Sequence, residues 1–437
     1  MPEASKTTSE NIQQRLVGFP LTDLPRTIRD AVEFTRALGL HYLWVDAVCI
    51  LQDQAKDDEL TTMPDYYARA TVVICAARAA HSNAGFSGPR RLLNLEYDLP
   101  IALTDGDCTA HGQIRVLERA AEQEREPIDC RAWTHQEQVN ALATFRFESQ
   151  KLLWECKESS LGDSDVDKGL SSQKSIISTS SIDSSIFSNM LPQPQSNTRE
   201  TNLAKYLQVI IDYSFRQAGR LDDKLAAFEQ TAKNWAISRS RTSSRYLAGL
   251  WEDDMPRELL WCRNYYWEDK SWVGDSTSGT TTPSWSWASI QSPITWQDLN
   301  DLVWPGYTIE IIDCEVEPLS RLHPFGKVKW GTLTVRGYVR QAFWNGQDLV
   351  VGPAGESINV VWDTPLHPTP QKADCLEIRS DAGYSIGIIL NSKDGVSKRL
   401  GYYHYQPRKR GTPGQTIPED INTDWLRQSE RRVVNIH

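Results

Sequence analysis

Residues 158 to about 200 read ESSLGDSDVDKGLSSQKSIISTSSIDSSIFSNMLPQPQSNTRE, and this stretch limits the chain more than any other. It is rich in serine and poor in large apolar groups, so it cannot repay the entropy of ordering. Whatever folds must fold on either side of it. The stretch reads as a flexible linker or insertion whose serines are candidate phosphorylation sites. It separates a block of residues 1–157 from one of residues 201–437. The chain has 437 residues, 40% hydrophobic and 24% charged, enough for two or more domains with their own cores.

A formal net charge of −10 argues against general binding to phosphate backbones or anionic lipid, so neither nucleic acid nor membrane is an expected partner. No run reaches the roughly 18 to 20 apolar residues of a membrane span, and MPEASKTTSENIQQ lacks the apolar core of a signal peptide. A cytoplasmic or nuclear location is expected. The eight cysteines form no C-x-x-C pair, and neither H-E-x-x-H nor a close Cys/His quartet occurs, so free thiols and no metal site are expected. Some of the 16 tryptophans must pack cores, though tryptophan also serves binding surfaces.

In the first block, LTDLPRTIRDAVEFTRALGL carries the punctuation of a helix: Thr22 or Asp23 near the N-cap, Pro25 in the first turn and Gly39 past the end. Ile28, Val32, Thr35 and Leu38 make one face. HYLWVDAVCIL then reads as a central strand, apolar on both sides. DQAKDDELTTMPDYYARA reads as an exposed helix that Pro64 bends or begins, and TVVICAARAA as a second buried strand. Strands alternating with helices predict a parallel α/β sheet with ligands beyond its carboxyl ends, near Asp46 and Cys49. DCRAWTHQEQVNALATFRFESQKLLWECK predicts a short helix and then a hairpin turning near Ser149 and Gln150.

Beyond the serine-rich stretch, LAKYLQVIIDYSFRQ and LDDKLAAFEQTAKNWAI are helical. RYLAGLWEDDMPRELLWCR reads as a further helical stretch broken near Pro256. TIEIIDCEVE, GTLTVRGYVRQAFW and ESINVVWD alternate as antiparallel strands do, so the last third is β-rich.

Several of these segments resemble the fungal heterokaryon incompatibility (HET) domain family. LGLHYLWVDAVCILQD resembles its L-G-hydrophobic-x-Y-L-W-hydrophobic-D-x-hydrophobic-C-I-hydrophobic-Q-D motif, and MPDYYARATVVICAA its M-x-x-hydrophobic-Y-x-x-A segment and following strand. RAWTHQE with LLWEC resembles R-x-W-T-x-Q-E and a later W-E-C, and LWEDDMPRELLWCR with PSWSWAS resembles the pattern found downstream. The likeness covers residues 20–157 well and 220–290 loosely. Family members usually open with a strand and an S-Y-x-W-G-like motif. Here only NIQQRLVGFP precedes Leu21, so that element is missing or replaced, and the chain is inactive, divergent or completed by another segment. The family usually has an apolar residue where His135 stands. HET domains are remotely similar to TIR domains. That similarity implies a flavodoxin-like sheet, links to cell-death signalling and raises NAD as a substrate. Neither G-x-G-x-x-G nor G-x-x-x-x-G-K-[ST] occurs, and no cofactor is assigned.

Each site residue has an ordinary reading beside its functional one. Asp46 on an apolar strand is either a structural acid bonded to Arg131 or backbone amides, or a site carboxylate. Cys49 is a small buried hydrophobe unless a cation or helix N-terminus lowers its pKa. Arg131 and Glu137 pair with each other or across elements. Glu137 is otherwise suited to ribose hydroxyls or to a developing cation. His135 is a surface or interface residue, or a general acid/base. Gln52, Asp53 and Gln136 suit capping first and ligand bonding second. Trp44, Trp133, Trp285 and Trp287 are core candidates, and Tyr66 and Tyr67 pack a helix or rim a pocket.

Two classes of function follow. One is an incompatibility or cell-death protein that signals or acts as effector through self-association or other signalling proteins. The other is an enzyme on a small-molecule substrate. It either cleaves an N-glycosidic bond such as that of NAD, or is a specialised-metabolism enzyme using His135, Cys49 and an acid on an aromatic or polyketide-like molecule.

Overall fold

Helix α2 (Arg26–Ala37) follows α1 (Ile12–Val17) and ends as its sequence predicts. Gly39 takes φ 73°, its N–H reaches the Arg36 carbonyl, and the Leu40 N–H reaches that of Thr35. This double closure is the Schellman arrangement, which needs a left-handed residue. Ile28 and Thr35 are buried, whereas Leu38, as the cap residue, is exposed. The computed structural model describes residues 5–54, 57–90, 96–105, 108–117, 125–156, 158–162, 199–238, 244–264, 280–297, 306–345, 348–351, 356–364, 371–381, 384–405 and 430–437. Most of the serine-rich stretch, residues 163–198, lies outside them.

The chain forms two compact units. Met1–Cys130 and Glu137–Ser188 make one; Arg131–Gln136 and Asn189–His437 make the other. In the first unit, the run 41–51 is not the central strand its apolar residues predict. Residues 41–45 are irregular and Asp46–Cys49 forms a single helical turn, α3. A short apolar run does not by itself choose between strand and helix. Here the Val48 and Cys49 N–H groups both turn back to the Val45 carbonyl. Next come α4 (Asp57–Arg69), which contains Pro64, then β1 (Val73–Cys75) and a separate hairpin of β2 (Glu96–Asp105) and β3 (Cys108–Leu117). After α5 (Trp133–Asn140), β4 (Ala143–Phe147), β5 (Leu152–Cys156) and β6 (Ser160–Gly162) complete a sheet in the order β1-β4-β5-β6. Among the described residues its one parallel pair is β1 with β4, and the other neighbours are antiparallel. The sheet is mixed, without the run of parallel strands expected of a flavodoxin- or TIR-like domain.

Helix α2 packs on this sheet through rings. Phe34 meets Phe145 at 5.1 Å and Phe147 at 4.9 Å edge to face, and Phe86 lies 4.5 Å from Phe147. Asp30 ties the 85–87 loop to the same helix by accepting the N–H groups of Phe86 (2.7 Å) and Ser87 (3.0 Å). Burial would raise the Asp30 pKa, but these amides and Arg26 outweigh it and hold the carboxyl below its ordinary value.

The second unit opens with α6 (Arg199–Ser214) and α7 (Asp223–Ser238), whose facing rings pack closely. Tyr206 stacks on Trp235 at 4.7 Å, and Phe228 meets Trp287 edge-on at 5.3 Å. The expected helix through RYLAGLWEDDMPRELLWCR is instead a tight hairpin, β7 (Tyr246–Leu247) and β8 (Leu250–Trp251), then a short α8 (Met255–Glu258). Ala248 and Gly249 both have positive φ, 45° and 104°, as a two-residue hairpin turn needs. A Cβ on Gly249 would also come 2.7 Å from the Trp287 indole nitrogen, which donates to the Gly249 carbonyl.

Then β9 (Cys262–Arg263) pairs with β10 (Ile294–Thr295). The larger sheet holds β11 (Glu310–Pro318), β12 (Val328–Trp344), β13 (Leu349–Val351), β14 (Glu356–Ser357), β15 (Asn359–Trp362), β16 (Lys372–Asp381), β17 (Tyr384–Lys393), β18 (Val396–Tyr405) and β19 (Arg431–Ile436). Five of these close on themselves: β12-β16-β17-β18-β19 and back to β12. An odd ring cannot alternate direction throughout. The required parallel step falls between β18 and β19, at Ser397 and Ile436.

Arg399, on β18, is fully buried with its guanidinium 3.5 Å from the centre of the Trp261 ring. It pairs with Asp363 at 2.9 Å and donates to the carbonyls of Leu259 (2.6 Å) and Trp261. Replacing Arg399 by Met should destabilise the second unit by about 3–5 kcal/mol, because Asp363 is left buried without its counter-charge. Adding Asp363→Leu should restore most of that loss, as urea unfolding followed by tryptophan fluorescence would measure.

Candidate functional site

The residues singled out in YLWVDAVCILQD do converge, but on the turn itself. Asp46 is exposed, and its carboxylate accepts the Ala47 N–H at 2.6 Å. It is therefore not the buried acid that a strand would have made it. Cys49 is exposed too, its sulfur accepting the Val45 N–H at 3.4 Å. The Gln52 amide donates to the carbonyls of Asp46 (3.2 Å) and Ile50 (3.0 Å) and so holds the turn closed. Trp44 is half-buried against Tyr66 (5.2 Å) and Tyr67 (5.6 Å). Asp53 accepts the Ser9 N–H at 3.0 and 2.9 Å and the Ser9 hydroxyl at 3.2 Å. Residues 5–9 lie along this turn. Thr7 N–H reaches Ala47 O (3.0 Å), the Thr7 hydroxyl reaches Val48 O (2.6 Å), and Gln52 N–H reaches Thr7 O (2.8 Å).

A second group in the same unit sits at the carboxyl end of the parallel pair. Cys75 and Arg146 are register partners on β1 and β4. The buried Arg146 guanidinium donates to Glu148 (2.7 Å), Asp129 and the Cys75 sulfur (3.5 Å). Gln138 reaches Asp129 (3.5 Å) and Cys75 (3.9 Å), and Glu126 accepts the Ser149 N–H (2.7 Å) and hydroxyl (2.9 Å). Burial, partly countered by Arg146, pushes the Cys75 thiol up to about 11, so it stays protonated at neutral pH and is no thiolate nucleophile. Burial alone would make Arg146 easier to deprotonate, but the thiol and the two carboxylates more than reverse this and hold it charged. The charge of Glu137 also acts on Cys75, in the same raising direction as burial. One oxygen of Glu148, Oε2, is buried with no hydrogen-bond partner among the described residues. Carboxylates so placed can accept ligand hydroxyls or stabilise a developing cation. Among the described residues no group of three or more His, Cys, Asp or Glu could hold a metal ion.

Sequence reasoning reached Glu137 but missed Cys75, Asp129, Arg146 and Glu148. The signal was present in ATFRFES: Arg146 and Glu148 stand two apart on an otherwise apolar strand, hence on one face.

The R-x-W-T-x-Q-E residues divide between the units. Arg131 through Gln136 belong to the second, where Ala132 N–H bonds to the Gln217 carbonyl and Arg216 bonds to the Arg131 carbonyl and the Thr134 hydroxyl. Arg131 is exposed, Trp133 half-buried and Gln136 buried. His135 is wholly enclosed. Its Nε2 lies 2.9 Å from the Thr231 hydroxyl, and its ring sits 4.9 Å from Tyr213 and 5.8 Å, stacked, from Phe228. Burial first, and Arg216 second, hold its pKa well below 6.5, so it is a neutral core residue at pH 7. That environment suits the apolar residue usual at this position. Cys156, of the WEC triplet, has its pKa lowered by the Ser159 hydroxyl and then by the backbone at 158 and 159.

The first unit is thus a mixed-sheet α/β body with a buried ion cluster, and the second a helical and β-barrel body. Residues 2–137 match the family Heterokaryon incompatibility protein (HET), and the chain carries a HET domain over those residues. No curated protein and no solved structure matches the chain. Strands β4 and β5, with Arg146, lie beyond the matched residues. No helix among the described residues is long and apolar enough to cross a membrane.

His135 makes stability depend on pH in a definite direction. Its folded pKa lies below the unfolded one, so its contribution is complete above about pH 6.5 and falls by up to about 1.4 kcal/mol per unit below that. Chemical unfolding at pH 7.5 and 5.5 should show this loss in the native chain and a smaller one in His135→Gln.

Proposed function

We propose that the chain is a heterokaryon-incompatibility protein of a filamentous fungus, acting in cell-death-type signalling with the HET-containing unit as effector and the second unit as regulator. The HET match over residues 2–137 carries this reading. The division of the chain supports it, because a unit with its own aromatic core and closed barrel is a body able to sense or restrain. Cytoplasmic location and association with itself or with other signalling proteins belong to the same proposal. Induced expression in a fungal host should slow growth severely. Normal growth at verified protein levels would remove the effector role.

One observation favours a second reading, hydrolysis of an N-glycosidic bond such as that of NAD. Asp129 and Glu148 bind Arg146 at the carboxyl end of β1 and β4, where open α/β sheets place ligands, and the charge of Glu137 reaches Cys75 beside them. In this reading a carboxylate stabilises the developing ribosyl cation and Arg146 orients it. Asp46 and Cys49 would lie outside the chemistry. The purified chain should then release nicotinamide from NAD, and Glu137→Gln and Glu148→Gln should each lower that release at least tenfold while the fold persists. A folded chain that releases none leaves the signalling reading alone. A biosynthetic enzyme would have relied on His135, whose enclosure among Tyr213, Phe228 and Thr231 gives it no support.

A further inference from the structure

The turn 46–53 is held from outside by residues 5–9, and the fastening at one end is chemically unlike the rest. Ser5 and Thr7 are buried, and their hydroxyls are spent on carbonyls, Ser5 on Asp23 (3.1 Å) and Thr7 on Val48 (2.6 Å). Thr8 is half-buried. Ser9 is exposed, and so are its partners Asp53 and Gln54. Its N–H and hydroxyl both donate to the Asp53 carboxylate, while its oxygen accepts from the Gln54 amide at 2.9 Å. This end therefore depends on an accessible hydroxyl acting as donor to a carboxylate.

We propose that residues 5–9 are a latch on the 46–53 turn and that phosphorylation of Ser9 opens it. In the step, a protein kinase using a nucleoside triphosphate forms a bond between Ser9 Oγ and the terminal phosphorus. The bond from that phosphorus to its bridging oxygen breaks, the hydroxyl proton is released and the nucleoside diphosphate leaves. Two things change at the latch. The hydroxyl that donated to Asp53 no longer exists, and a group carrying about −1.5 to −2 charge stands at hydrogen-bond distance from a carboxylate. Lys6 is the one cation within the segment. With the Ser9 end released, the three bonds that Thr7 makes to Ala47, Val48 and Gln52 lose their neighbour's support. Opening bares the Ala47 and Val48 carbonyls and the Gln52 N–H that Thr7 holds in the closed turn. The effector reading gives this exposure its biological use, but the opening itself is read independently of that reading.

The test places phosphoserine at position 9 of the full chain by genetic encoding and follows hydrogen–deuterium exchange in peptides spanning 5–12 and 46–54. Exchange in both should accelerate about tenfold or more over the unmodified chain, while peptides from 199–238 stay unchanged. In an Asp53→Asn background, where one charge of the repelling pair is gone, phosphoserine should produce a much smaller acceleration. Unaltered or slower exchange at 46–54, or the same acceleration with Asp53→Asn, would overturn the latch. A failed growth test would discredit the effector role and leave this result standing.

Discussion

Arg146 must carry its charge away from water, and most of the first unit is arranged so that it can. Desolvating a guanidinium costs several kcal/mol unless counter-charges and hydrogen bonds meet it on several sides. Asp129 comes from the short turn before α5, Glu148 from the residue after β4, and the Cys75 sulfur from the end of β1. Three pieces distant in sequence are thereby fixed to one point. The sheet cannot slide in register without stranding a charge, because β1 is only three residues long and pairs with β4 through Cys75 and Arg146 themselves. The second unit repeats the device with different parts. Arg399 lies on Trp261 and joins β18 to Asp363 and to the 259–261 backbone, while Arg340, Glu377, Ser385 and Tyr403 form a buried chain between barrel strands. In both units, charge specifies which strands meet and apolar burial drives them together.

Much of the local structure was legible in the residues. Helix α2 with Gly39 beyond it, the β4–β5 hairpin, α6 and α7, and the antiparallel strands of the last third follow from periodicity and turn chemistry. Two misreadings share a cause. HYLWVDAVCIL and RYLAGLWEDDMPRELLWCR are apolar runs whose period is ambiguous, and each was decided by contacts outside the run. In the first, residues 5–9 and the Gln52 amide close a turn; in the second, Ala248 and Gly249 take positive φ beside Trp287. The site was less legible still. A buried ion cluster depends on tertiary proximity, and Asp129 and Cys75 carry no local mark. His135 shows the limit plainly: an imidazole in a polar motif looks like chemistry until its neighbours prove to be Tyr213 and Phe228.

The HET match and the folded body do not end at the same residue. The matched segment stops at Glu137, yet β1 finds its partner in β4, and Asp129 finds its counter-charge in Arg146. A fragment cut at the family boundary would keep Asp129 and lose Arg146, the guanidinium that makes its burial tolerable, together with Glu148. The residues just before that boundary, Arg131–Gln136, pack with the other unit. The family motif is accordingly a stretch of sequence serving two bodies at once.

The closed barrel also has a consequence for biosynthesis. Strand β19 is the stave that joins β12 to β18, and it is translated after every other strand of the ring. Until residues 431–436 leave the ribosome, β12 and β18 present unpaired edges to whatever is nearby, the kind of surface on which nascent chains pair wrongly. The long span between β12 and β19 further makes closure one of the slower steps. A growing chain of this design therefore carries its larger unit open until β19 has emerged, and it is most in need of a chaperone in that interval.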